Sequence, residues 1–357
     1  MDDVERHPPF RGILGRMNDK LAAQAAAQGG AFTRAQALAA GYLPAQIDTF
    51  LRLKQWSAPY HGCYVVTEQL EALSSDPAAR HVLQAAARVL TSELDVVASH
   101  RTGALVHQLP LLGPPPVRPQ LTRAPRFAGD TSATKGLYVA SLPEDARTVR
   151  AGIPVTALAR TVCDVARRSP FRAGVVPADA ALRAGLSHEL LIATALRYAG
   201  WPGGRRAVKV ARFADGRAET PIESITRVGY DEQDLPAPET QIEICAPNGR
   251  VVGIVDFLWR AQRTVGEADG MLKYDAQGAL RREKLREEDL RACGLEVVRN
   301  IWDDAWTLAG RRELARRVRQ AFGFAAERPP VPGVGYRVPS LEELTRSRRP
   351  LPDHLAS

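Results

Sequence analysis

Cysteine is scarce in this chain. Four residues, Cys63, Cys163, Cys245 and Cys293, are spread over 357 positions without any Cys-x-x-Cys spacing. Neither a zinc site nor a disulfide framework is supported, and each thiol reads as a small buried hydrophobe. Long apolar runs are also missing. None approaches the roughly 20 residues that cross a bilayer, which argues against a membrane partner. The opening stretch, MDDVERHPPFRG, lacks the apolar core of a signal peptide, and the expected location is the cytoplasm. No Walker loop, dinucleotide fingerprint, nucleophile elbow or internal repeat occurs.

What is present is an ordinary globular composition, 45% hydrophobic and 25% charged, and enough length for two or three domains. Positive charge is in excess: the formal net charge is +8 and the pI about 9.6. A balance of this sign favours a polyanion as partner, nucleic acid first.

The stretch 253–274, GIVDFLWRAQRTVGEADGMLKY, is the first place to look for chemistry. Asp256 interrupts the apolar run Ile254, Val255, Phe257, Leu258, where burial excludes an acid unless it has a partner. A polar turn at 260–263 leads to a second predicted strand, 264–269. Side chains alternate along a strand, so Glu267 and Asp269 share a face. Paired as a hairpin, the two strands set Asp256 beside Glu267. Carboxylates this close resist joint ionisation unless a cation lies between them, and hard oxygen donors suit Mg²⁺ or Mn²⁺. Lys273 and Tyr274 follow within reach of whatever the acids hold.

The order Gly253-x-Val255-Asp256-Phe257 … Glu267-x-Asp269-Gly270 resembles the core of the PD-(D/E)xK nuclease superfamily, and within it the small domains similar to very-short-patch-repair endonucleases. Three flanking pieces agree: Glu223 at the start of a predicted helix, a charged amphipathic helix over 281–290, and the strand Gly294-x-x-Val297-x-Arg299. The resemblance covers roughly 218–308. It implies that Glu223, Asp256 and Glu267 hold Mg²⁺ or Mn²⁺, and that Asp256, Glu267, Asp269 and Lys273 form the catalytic set. One position departs. The family places a Lys two residues after the Glu, and this chain has Asp269. Either Lys273 supplies the amine, or the site is catalytically silent.

Residues 18–66 predict three short helices and a β-wing. Thr33 is a candidate N-cap for the second helix, and Gly41 ends it. The third helix runs from Pro44, with Gln46, Asp48, Thr49 and Arg52 outward. Phe32, Leu38, Ile47 and Leu51 are expected to pack the helices together. Trp56 and the stretch 61–66 read as two strands around a turn. This is the pattern of a winged helix-turn-helix, whose third helix enters a major groove, with Gln46, Thr49 and Arg52 as DNA contacts. The spacing Thr33-x-x-Gln36-Ala37 … Gly41 … Gly62-x-Tyr64 resembles the N-terminal domain of AbiEi-type antitoxins of type IV toxin–antitoxin systems. In the middle region, Ser99-His100-Arg101-Thr102, with Ser99 as helix N-cap, and Thr156-x-x-x-Arg160-Thr161-x-x-Asp164 are similar to the second domain of the same regulators. That resemblance implies a regulatory role and a cognate toxin as partner. His100 and His107 lack a third ligand and read as structural.

A basic connector, 201–217, adds Arg205, Arg206, Lys209 and Arg212 as candidate phosphate contacts. Residues 1–17 read as a flexible leader, and the Pro- and Arg-rich tail, 326–357, is expected to be disordered. The expected fold class is mixed α/β: a winged helix-turn-helix over 18–70, an α+β middle region over 71–200, and a restriction-endonuclease-like α/β domain over 218–325. The expected function is a DNA-binding protein with a metal-dependent endonuclease domain, in phage defence or DNA repair. The alternative is a non-catalytic regulator of antitoxin type whose nuclease fold is a silent nucleic-acid-binding platform.

Overall fold

Local capping sets the first helices. In the computed structural model, which describes residues 17–128, 130, 134–269 and 277–346, with backbone alone at 277–283 and 346, helix α1 spans Asp19–Ala26 and is capped by Asn18. A two-residue strand, β1 (Phe32–Thr33), leads into α2 (Arg34–Ala39). Thr33 caps α2 in a reciprocal box, its hydroxyl accepting from Gln36 N and the Gln36 side chain accepting from Thr33 N. Helix α3 (Pro44–Arg52) and strands β2 (Trp56–Tyr60) and β3 (Cys63–Val66) complete a small unit. Its sheet has the order β1-β3-β2 and is antiparallel throughout.

Phe32, Ile47 and Trp56 are buried here, with Phe50 stacked on Trp56 at 4.7 Å. Leu51 is half-buried against this core. Leu38 does not take its expected packing place: it is 41% exposed, and fully buried Ala37 takes the inward position. Successive helical residues turn by about 100°, so only one of these neighbours faces the core.

Helices α4 (Thr67–Ala72) and α5 (Pro77–Leu90) follow. Then come β4 (Val96–Ala98), α6 (His100–Val106), β5 (Leu121–Arg123), β6 (Leu137–Val139), β7 (Arg147–Arg150), β8 (Ile153–Thr156) and α7 (Leu158–Arg168). The sheet order is β6-β5-β4-β8-β7, with both parallel and antiparallel pairs. Strand β7 is exposed along most of its length, and its polar sequence gave no strand signal.

Ser99 does not cap α6 through its side chain. Its hydroxyl is drawn instead into a buried network with His100 Nδ1 at 2.9 Å and Thr122 Oγ1 at 2.8 Å. The second motif is likewise internal. Asp164 accepts from Arg160 Nε at 2.9 Å and Arg167 Nε at 2.8 Å, and the Arg160 guanidinium lies over the rings of both Tyr198 and Trp201. His107 Nε2 meets the Thr156 carbonyl at 2.8 Å. These residues join β4, α6, β8 and α7 to α9 (His188–Arg197).

The chain divides into two compact units: 1–169 with 189–211, and 170–188 with 212–357. The second unit contains α8 (Phe171–Arg183), α11 (Pro221–Glu232), β9 (Glu239–Cys245), β10 (Val251–Trp259), β11 (Thr264–Ala268), α12 (Gln277–Ala292), β12 (Glu296–Asn300), α13 (Trp302–Trp306), α14 (Leu308–Ala326), β13 (Gly335–Arg337) and α15 (Leu341–Arg346). Helix α10 (Gly204–Phe213) carries the basic connector. The sheet order is β12-β11-β10-β9-β13, with β11 and β12 parallel and the other pairs antiparallel. One apolar cluster unites Tyr230, Phe257, Trp259 and Leu314. Another unites Ile242, Leu258, Val265 and Leu290. The fold is therefore mixed α/β, with one antiparallel and two mixed sheets.

The expected disorder of the tail is corrected. Strand β13 pairs with β9, and Arg337 bonds both Glu243 and Glu343. Ser340 and Glu343 form a reciprocal cap at the start of α15. These ion pairs and caps order a segment poor in large apolar side chains. Residues 347–357 lie outside the described residues, as do the leader through position 16 and both Lys273 and Tyr274.

Buried Asp179 on α8 is matched by Arg227 on α11 at 2.9 Å. Burial pushes the Asp179 carboxyl up to about 6, against the pull of Arg227. Arg227→Ala strands a carboxyl in the core and should cost about 3–5 kcal/mol in urea unfolding. A loss below about 1 kcal/mol would show that the pair is dispensable.

Candidate functional site

Four elements of the second unit bring the acids of the central stretch toward one another. Thr220 caps α11, accepting from Glu223 N, and this places Glu223 in the first turn. There the Glu223 carboxylate accepts from Glu219 N at 2.9 Å and from the Thr220 hydroxyl at 2.7 Å. A carboxylate at a helix N-terminus is favoured by the free N–H groups. On β9, Gln241 Nε2 donates to Glu223 Oε2 at 3.0 Å and to Asp256 Oδ1 at 3.1 Å. One amide thus joins an acid of α11 to an acid of β10. Asp256 Oδ2 accepts from Ala268 N on β11 at 2.8 Å. Next to it in sequence, Glu267 is 6% exposed and accepts from Arg286 of α12 at 2.9 Å. The same guanidinium donates to the Ile254 carbonyl of β10.

Gln241 holds a backbone φ of 53° within a strand, the left-handed region that a non-glycine side chain adopts at a cost. Arg217 clamps the distortion by donating to the carbonyls of Thr240 and Gln241 and to Pro339 O. Neither Gln241, within an unremarkable strand sequence, nor Arg217, in a long basic stretch, carried a signal in the sequence. What singles Gln241 out is the register that sets it beside Asp256, together with its left-handed backbone.

Electrostatics follow from burial. Glu223 is pushed up to about 8, first by loss of water and then by the charge of Asp256. Asp256 is pushed up to about 7, first by loss of water and then by Glu267. The two titrate as a pair. Tyr230, buried over Gly266, has its hydroxyl raised above the ordinary phenol range, chiefly by burial.

Asp269 takes a different partner. It is bound by Arg299 at 3.2 Å, and Arg299 also reaches Glu287 at 3.1 Å. Lys273 lies outside the described residues. The cation seen against Glu267 is Arg286.

A divalent cation fits this place by donor chemistry: three carboxyl groups offer hard oxygens, and two of them are pushed up by burial and by a neighbouring acid. It does not find a finished cage. Among the described residues no three His, Cys, Asp or Glu side chains are disposed to hold a metal ion, and Asp256, Glu223 and Glu267 each accept from protein donors.

The candidate nucleic-acid contacts lie elsewhere. On α3, Gln46 Oε1 accepts from Leu43 N at 2.8 Å, the Thr49 hydroxyl donates to Ala45 O at 2.8 Å, and Arg52 is exposed. Part of the polar capacity of Gln46 and Thr49 is thus used inside their own helix. On α10, Arg205, Lys209 and Arg212 are exposed and spaced i, i+4, i+7 on one face. Arg206 differs: its guanidinium donates to the carbonyls of Ala166 and Arg167 and caps the end of α7.

No protein-family model matches the chain. Two uncharacterized proteins of Mycobacterium tuberculosis, from strains CDC 1551 and H37Rv, are each 33% identical over 167 residues, which is 46% of this chain. The match spans 59% of the length of those relatives. A solved structure, that of the RV2827C protein from Mycobacterium tuberculosis, aligns over 54% of this chain and 76% of its own at 13% identity, with a TM-score of 0.30. That likeness is too low to carry an argument.

The raised acids make stability depend on pH. Free carboxyls lose their protons near about 4, whereas Glu223 and Asp256 keep theirs to about 8 and about 7. Between those limits the folded chain binds more protons than the unfolded one, so stability falls as pH rises through the window. Thermal melts at pH 5 and pH 8 should show the loss, and Glu223→Gln should flatten it. An unchanged slope in Glu223→Gln would refute the assignment.

Proposed function

We propose that the chain is a DNA-binding protein whose second unit is a metal-dependent endonuclease domain of PD-(D/E)xK type. The observation that supports this most directly is the joining of Glu223 and Asp256 through Gln241, with Glu267 next to the N–H that holds Asp256. Acids buried at this density serve no packing purpose and lower the stability of the neutral-pH fold. Glu223, Asp256 and Glu267 would hold Mg²⁺ or Mn²⁺, which in such a site polarises the phosphoryl oxygen and lowers the pKa of bound water. The protein's own groups do the positioning. Ala268 N–H orients Asp256, Gln241 spaces the two acids, and Arg286 carries positive charge beside Glu267 where phosphate charge develops.

A second reading keeps the binding and drops the chemistry, and one observation favours it. Glu267 and Asp269 are each already paired with an Arg, Arg286 and Arg299, so the site is satisfied without a cation. The domain would then be a silent platform in a regulator or antitoxin-like protein. The resemblance of the first part to AbiEi-type antitoxins adds a cognate toxin to that reading.

For the first unit we propose a winged helix-turn-helix. The helix–strand–helix–helix–strand–strand order of residues 19–66 and the three-stranded sheet support it. Helix α3 would lie in the major groove with Gln46, Thr49 and Arg52 toward the bases, and the face of α10 bearing Arg205, Lys209 and Arg212 would meet phosphates.

Two experiments test these readings. Nicking or cutting of DNA should require Mg²⁺ or Mn²⁺ and vanish in Asp256→Asn and Glu267→Gln. Lys273→Ala should abolish cleavage with metal affinity kept if Lys273 supplies the amine. Failure of the wild type to cleave, with activity gained in Asp269→Lys, favours the silent reading, and cleavage that survives both Asp256→Asn and EDTA eliminates the metal mechanism.

Binding should be salt-dependent. Single Ala replacements of Arg52, Arg205, Lys209 or Arg212 should each reduce the log–log salt slope by roughly 0.9. Arg206→Ala should lower stability instead, because its guanidinium caps a helix. Salt-independent affinity would sink the electrostatic proposal.

A further inference from the structure

Helix α13 follows β12 directly and carries an aromatic pair, Trp306 exposed and Trp302 half-buried. Trp302 and Trp306 are four residues apart and therefore share a face of the helix, with ring centroids 6.4 Å apart and planes inclined at 59°. Trp306 is 48% exposed, and its neighbours Ile301 and Leu308 are 50% and 51% exposed. Large apolar side chains gathered in solvent mark a binding surface more often than chance.

Two further observations say what it binds. The first is charge. The Arg172 guanidinium lies 5.8 Å from the Trp306 ring centroid and donates to Trp306 O at 2.8 Å, and exposed Arg312 follows Leu308 by one helical turn. Aromatic faces interleaved with guanidinium groups match the bases and phosphates of a nucleic-acid strand, and purely apolar partners have no use for the cations. The second is position. Strands β11 and β12 are parallel, and Asp269 N donates to Asn300 O where they end. Helix α13 therefore begins at the carboxyl end of the strand pair that carries Glu267, the end beyond which open α/β sheets bind their ligands.

We propose that Trp302 and Trp306 form a stacking platform for an unpaired nucleotide, in a single strand or a locally opened duplex, with Arg172 and Arg312 meeting the adjoining phosphates. This rests on the reading of the second unit as a nucleic-acid domain and narrows its substrate to nucleic acid with an unstacked base.

The test is an anisotropy titration of the full chain, in EDTA so that no cleavage intervenes, with labelled oligo(dT) and with an abasic oligonucleotide of the same length. The wild type should prefer oligo(dT). Trp306→Ala and Trp302→Ala should each weaken oligo(dT) binding by roughly 5- to 150-fold, the value of one stacked base, and leave abasic binding unchanged. Should an alanine variant fail to fold, Trp306→Phe, which keeps a ring, should bind like wild type and Trp306→Leu should not. Equal binding of the two probes by wild type, or wild-type affinity in Trp306→Leu, overturns the platform. A change of oligomeric state in Trp306→Leu without nucleic acid also overturns it, making the patch a contact between copies. Metal-dependent duplex cleavage with no oligo(dT) preference would remove the platform alone. An oligo(dT) preference with no cleavage in any metal would remove the endonuclease reading alone.

Discussion

An acid in the middle of a central strand is the constraint on which the second unit turns. Strand β10 pairs on both sides, with β9 and β11, and its neighbours Val255, Phe257 and Leu258 are buried. Asp256 shares that setting and needs donors. It finds a side-chain amide from one neighbouring strand and a backbone N–H from the other. Supplying the amide requires Gln241 in a left-handed backbone conformation, and holding Gln241 requires Arg217 across two carbonyls. The same amide then draws in Glu223 from the first turn of α11. A single half-buried carboxyl is thus linked to a strand distortion, to the first turn of a helix and to the anchoring of the C-terminal segment at Pro339.

The first unit manages buried polarity differently. It sets opposite charges together: Asp164 lies between Arg160 and Arg167, and aromatic rings cover the guanidinium of Arg160. The threonines of its two motifs close buried hydrogen bonds, Thr102 with His81 of α5 at 2.7 Å and Thr156 with Thr161 at 2.6 Å. His81 and His100 are each held down to about 4, chiefly by burial, so both stay neutral near pH 7. In the second unit Glu223 and Asp256 share one Gln241 amide, and burial pushes both carboxyls up. That contrast, more than the presence of polar residues, separates a structural network from a candidate site.

Much of the fold was legible where a single residue does a local job. Thr33 with Gln36, Gly41, and the Asp76-Pro77 start of α5 place helix ends by capping and turn chemistry that needs no tertiary contact. Ser340-x-x-Glu343 is a capping box of the same kind, and composition alone obscured it by marking the tail as disordered. Leu38 was misplaced because a six-residue helix has too few positions for a periodicity to show. Strand β7 was missed because an exposed edge carries no alternating apolar pattern.

The sequence by itself determined which segments are helix or strand in the acidic stretch, and that Asp256, lodged in an apolar run, must be buried with a partner. Those follow from side-chain alternation and from the cost of burying charge, both properties of short stretches. Tertiary structure alone decided who the partners are. Gln241 precedes Asp256 by 15 residues, Arg286 follows Glu267 by 19, and Arg299 follows Asp269 by 30. Strand register and helix packing bring them together across those separations, and no local rule encodes either. The same register turned Asp269 toward Arg299 and set the tryptophan pair of α13 at the end of the β11–β12 strand pair.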